Sequence, residues 1–186
     1  MLDIVVPATE LWDERNEVFL ETKEQKLRLE HSLVSLAKWE QKHKVPLLNK
    51  ETITYAEMAD YIRCMTITQN VDPIVYRCLS KENFEQVETY MNDPMTATKF
   101  YTYGEEKKRN PKRPSGKTIV TNELIYYWMF SLGVDKHCET WHLNRLLTLI
   151  QVFNVKNNPK KMSKQETAKM YSDINKARRA KIHTKG

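Results

Sequence analysis

The sequence predicts a mainly α protein: a helical domain with a small N-terminal β element and a basic C-terminal helix or tail. Three observations carry this. From Ser32 onward, cap residues repeatedly precede stretches with apolar residues three and four apart, the signature of amphipathic helices. Before that point apolar and polar residues alternate, as in half-buried strands. The last segment, Lys156 to Gly186, holds ten Lys/Arg against two Asp/Glu, a net +8.

In the opening third, Leu2, Ile4 and Val6 alternate with polar residues, and so do Leu27, Leu29 and His31. Between them "NEVFLE" is a further short strand candidate, and a small antiparallel sheet is the expectation. One alternative stays open at this point, since "ERNEVFLETKEQKLRLEH" also reads as a single helix. "SLVSLAKWEQKH" then puts Leu33, Leu36 and Glu40 on one side of a helix that stops before Pro46. Thr54 and Glu57 form a capping-box pair at the head of "TYAEMADYIRCM". Asp72 with Pro73 gives another start, and Ser80 caps "KENFEQVETYM". "TNELIYYWMFSLG" is an apolar helix closed by Gly133, expected to be buried as core or as a subunit interface. Asp135 should open the longest helix, from about Lys136 to Asn154. Ser163 and Glu166 suggest a capping box for the last helix.

The expected organisation is therefore one mostly helical domain over 1–155 and a tail helix over 156–186. Strands should fall within about 1–31. The segment at about 104–117, rich in charge and proline and without an apolar core residue, reads as a mobile basic loop. Outside the loop and the tail the body is acidic, at −6.

Composition bounds function. Apolar residues make up 40% of the chain, enough for a core, while 4 glycines and the lack of any G-x-G-x-x-G or P-loop string argue against phosphate cradles. No apolar run approaches membrane-spanning length and no signal-peptide pattern opens the chain, so a soluble, intracellular protein is expected. Three cysteines without a CxxC pair fit reduced, buried thiols. In "DKHCETWHLNRLL", Cys138 and His142 lie four apart and invite a metal reading. A structural zinc site needs about four N or S ligands, and no second local pair exists. The stretch reads as helix packing, with no metal, cofactor or catalytic residue assigned. No G-x-S-x-G elbow frames a nucleophile, and the expectation is a protein that is not an enzyme.

Two features suggest partners. The aromatic helix around Trp128 and the stripe at Trp141 fit protein contacts. The tail residues Lys160, Lys161, Arg178, Arg179 and Lys181 suit an acidic protein surface first and nucleic-acid phosphates second; a solvated tail stays open beside both. A homo-oligomer is a further option.

The strings "LRLEHSLVSLAKWEQKHKVPLL", "YIRCMTITQNVDP", "PMTAT", "ELIYYWMFSLGV" and "WHLNRLLTLIQVFNVKN", with the ending "KKMSKQE…ARRAKIHTKG", resemble a family of small proteins from the tail-assembly region of tailed bacteriophages. The similarity runs from Leu27 nearly to the end. It implies a tail assembly chaperone: a helical, cytosolic, cofactor-free protein that binds the tape-measure protein and tail-tube subunits in the host cytoplasm. A structural subunit of the virion, in the tail or head–tail connector, is the alternative. The N-terminal strand pattern and the basic tail are not part of what that resemblance implies.

Overall fold

The computed structural model describes residues 1–13, 17–98, 100 and 119–157, together with 168, 171–173, 175, 176, 178 and 179. The expected mobile loop at 104–117, the Ser163–Glu166 cap, and Lys160, Lys161 and Lys181 lie outside the described residues. Two compact units are present, one of residues 1–97 with 117–152 and one of 98–116 with 153–186.

The first unit opens with four strands: β1 Leu2–Val6, β2 Thr9–Asp13, β3 Val18–Thr22 and β4 Gln25–Leu29. β1 pairs antiparallel with β4 and β2 with β3, and one register runs from Leu2↔Leu29 to Asp13↔Val18. The chain thus makes a nested hairpin, which excludes the single-helix reading of residues 14–31. With four strands beside the helices, the class is helix-rich mixed α and β rather than mainly α.

Alternation decides what the base of the hairpin buries. Ile4, Val6, Leu27 and Leu29 are sealed, while Asp3, Val5, Lys26 and Arg28 face water. Both edges of this base are covered. On β4, Ile67 donates to the Arg28 carbonyl at 2.9 Å and Glu30 donates to that of Met65 at 2.9 Å. On β1, the Asn83 amide donates to the Val5 carbonyl at 3.0 Å. Covered edges cannot recruit a further strand.

The helices follow their caps. α1 spans Leu33–His43 behind Ser32, whose hydroxyl accepts from Ser35 N, and ends at Lys44 in the left-handed region. α2 spans Tyr55–Met65 with the Thr54/Glu57 box formed in both directions. α3 spans Lys81–Asn92 under Ser80, and α4 spans Asn122–Ser131 under Thr121. Gly133, at φ 68, takes the chain out of α4 in a conformation that suits glycine. α1 lies against α2 and α4, and α3 lies against β1. Leu33, Leu36, Trp39, Tyr61, Ile62, Ile125 and Met129 fill the space between them.

Two expected helices are shorter than their cap signals suggested. Asp72 and Asp135 do cap, but each opens a five-residue 3-10 turn, Pro73–Arg77 and Lys136–Thr140. The expected continuous helix from Lys136 is therefore corrected to a turn, a break at Trp141–His142, and α5 over Leu143–Asn157. The break has a cause. His142 forms an antiparallel bridge with Ser32, and Leu143 N donates to the His31 carbonyl at 2.9 Å. Main-chain pairing with a distant segment outweighs local helix propensity there.

A buried carboxylate joins three elements. Glu40, near the end of α1, accepts from Leu47 N at 3.1 Å, Asn122 N at 2.8 Å and the Asn122 side-chain amide at 2.7 Å. It ties the 3-10 turn Leu47–Asn49 and the start of α4 to α1. Among the described residues no buried side-chain nitrogen or oxygen lacks a partner.

In the second unit the described residues include the end of α5 and the helical pair Arg178 and Arg179, both exposed.

Candidate protein-binding surface

The outer half of the hairpin is a two-stranded ribbon, β2 with β3. Its faces differ sharply. One face is formed by Thr9, Leu11, Leu20 and Thr22, all at least half-buried. Thr22 anchors it: its hydroxyl donates to the Thr9 carbonyl at 2.9 Å, accepts from Thr9 N at 3.2 Å, and lies 3.5 Å from Cys78 Sγ. The other face carries Glu10, Trp12, Phe19 and Glu21, all exposed. Trp12 sits opposite Phe19 in the ladder, with ring centroids 4.9 Å apart. Such a cross-strand aromatic pair holds its own register.

A ribbon with one face on the body is expected to turn polar side chains to water. Here Trp12 is 47% and Phe19 66% exposed. Single exposed apolar residues are ordinary, whereas an adjacent aromatic pair on a solvent face suits protein contact. Among the described residues, no main-chain hydrogen bond from another element reaches either edge of this ribbon, unlike its base. Neither Trp12 nor Phe19 stands out in the sequence. Leu11–Trp12 and Val18–Phe19–Leu20 place apolar side chains on both faces at once, and that pattern does not say which face is covered.

A second exposed aromatic face lies on α4. Of this helix, expected to be core or subunit interface, one side is core, with Ile125 and Met129 sealed, while Tyr127 is 65% and Phe130 62% exposed. Trp128 is half-buried on the same helix. Tyr126 leans back on the body, donating to Glu139 Oε2 at 2.9 Å. Burial first, then that carboxylate, push its phenol up to about 12. Trp141 is half-buried at the break before α5, with the Arg145 guanidinium 4.0 Å from its ring centroid. Among the described residues no ring contact joins Trp128 to Trp141. Arg178 and Arg179 belong to the other unit.

Cys138 and His142 do not share one helix, because the break falls between them. Cys138 is buried on the 3-10 turn, where burial and then Asp135 push its thiol up. His142 is half-buried, and both ring nitrogens are engaged: Nε2 donates to the Tyr90 carbonyl at 3.0 Å, and Nδ1 accepts from Asn144 N at 3.3 Å. Of the other thiols, Cys78 is buried and Cys64 half-buried. No group of three His, Cys, Asp or Glu suited to a metal occurs among the described residues.

Behind His142 lies a sealed polar cluster. His31 Nδ1 and the Tyr61 hydroxyl share a 2.7 Å hydrogen bond, and the His31 and His142 rings meet edge to face at 5.0 Å. Burial, with the neighbouring His142, holds His31 down at about 3; burial pushes the Tyr61 phenol up. His31 is therefore neutral near pH 7 and closed to solvent, which suits it to joining β4, α2 and the α5 start.

No protein-family model, curated protein or solved structure matches this chain. No helix among the described residues is long and apolar enough to cross a membrane.

Proposed function

We propose that this protein is a non-enzymatic, chaperone-like assembly factor of a tailed bacteriophage. In the host cytoplasm it binds tape-measure or tail-tube proteins through exposed aromatic surface. The observation that carries the protein-binding part is the outward face of the β2–β3 ribbon, where Trp12 and Phe19 stand paired in solvent. Interface hot spots are enriched in such aromatics, and a ribbon braced by Thr22 presents them with little ordering left to do on binding. The tail-assembly part is supported by the resemblance of residues from Leu27 onward.

Co-expression with the tape-measure protein of the same phage tests this reading. The expected result is a soluble client recovered in complex with this protein. A client equally insoluble with and without it, and no recoverable complex, contradicts the proposal. Mass spectrometry of purified particles separates the structural alternative: a chaperone departs after assembly, whereas a tail or connector subunit is present in stoichiometric amounts.

A further inference from the structure

We infer that the outward face of the β2–β3 ribbon receives a cationic segment of its partner protein, with Lys or Arg side chains seated on Trp12 and Phe19 beside the Glu10/Glu21 pair. The inference rests on the protein-binding reading above and adds the chemistry of the occupant.

The two halves of the hairpin differ in charge along one ladder. At the base of the hairpin, the solvent face pairs opposite charges: Asp3 sits across from Arg28, and their side chains bond at 2.9 Å, with Lys26 at 3.7 Å. At the outer half, Glu10 sits directly across from Glu21. Like charges opposed in this way destabilise a strand pair. Neither carboxylate has an ion-pair partner among the described residues. The whole stretch Thr9–Glu24 carries six acidic and two basic residues. Two unpaired carboxylates therefore border the exposed aromatic pair.

Aromatic faces attract cations held within about 6 Å of the ring centroid, and guanidinium planes stack well on indole. The protein uses this contact elsewhere, with Arg145 over Trp141 at 4.0 Å and Arg63 over Tyr76 at 6.0 Å. Trp12 and Phe19 have no such cation among the described residues. A site with two aromatic faces, two adjoining carboxylates and no counter-charge among the described residues is complementary to an arginine- or lysine-bearing segment. An acidic segment would be repelled by the same carboxylates.

The test uses the full chain, 15N-labelled, and follows its four indole N–H resonances, with that of Trp12 assigned by Trp12→Phe. The probe is a short capped peptide alternating arginine and valine, beside a counterpart with glutamine for each arginine. We expect the Trp12 resonance to shift saturably with the arginine peptide. Binding should weaken at least about tenfold with the glutamine peptide and about tenfold in Glu10→Gln/Glu21→Gln, with added salt acting in the same direction. Glu88→Gln, an exposed carboxylate on α3, should change nothing. Equal binding of both peptides overturns the cationic occupant and leaves the protein-binding reading intact. Shifts at other indoles with Trp12 unmoved, or equal weakening by Glu88→Gln, also overturn it. A Trp12 shift that tracks protein concentration alone assigns the face to a second copy of this chain and overturns it as well.

Discussion

Glu40→Ala destabilises the protein by about 3 kcal/mol, because each buried donor it orphans costs about 1–3 kcal/mol. Leu47 N and Asn122 N both point at this carboxylate, and Glu40 is 6% exposed. Removing the acceptor leaves two main-chain donors facing a side-chain-sized gap. Asn122→Ala takes away only the amide contact and should cost about 1 kcal/mol, the typical net worth of one hydrogen bond. Urea unfolding reads both. If Glu40→Ala shifts stability by no more than Asn122→Ala does, the carboxylate does not join these elements as described.

Acid weakens the fold well above the carboxylate range. His31 titrates near 6.5 when free and at about 3 in the fold. Above 6.5 neither state takes a proton there, and stability does not depend on pH through this group. Between 6.5 and 3 the unfolded chain binds a proton that the folded one refuses, so stability falls as pH falls. The slope approaches about 1.4 kcal/mol per pH unit. His142 is lowered as well, chiefly by burial, and acts in the same sense. Glu57, held at about 2 by Lys50 and by the Thr54 backbone, loses its contribution only as pH falls from 4.5 toward 2. The window from pH 7 to pH 5 therefore isolates the histidines. Unfolding free energy should drop by about 2 kcal/mol across it, from the slope just given. A flat profile there would mean that His31 is not held neutral.

Much of the fold was legible locally. Thr54 and Ser80 each cap the helix that follows, helix begins behind Ser32, and the alternation of Ile4, Val6, Leu27 and Leu29 named the buried face of the hairpin base. These signals work because a cap bond or a strand face is set by neighbours in sequence. The break at Trp141–His142 was not legible. It depends on the main chain of His31 and Ser32, more than a hundred residues away in sequence, and the apolar spacing of Cys138, Leu146 and Ile150 continues across it undisturbed.

The candidate site was less legible than the fold. Trp128 and Trp141 were expected to meet partners because they sit in apolar runs, yet such runs mark burial, and both rings are half-buried. The exposed aromatics, Tyr127 and Phe130 on α4 and Phe19 on the ribbon, stand in the same apolar runs as buried or half-buried residues. Only the packing of one ribbon face through Thr22 and Cys78 decides that Trp12 and Phe19 turn outward.

The double variant Trp12→Ala/Phe19→Ala, carried through co-purification with the tape-measure protein, tests the central claim most directly. The pair contributes about 1 kcal/mol to the fold, so the variant should stay folded with a small drop in melting temperature. Hot-spot aromatics cost about 2 kcal/mol or more each when truncated, so client capture should fall at least about thirtyfold. Capture at the wild-type level by a folded variant would contradict the account.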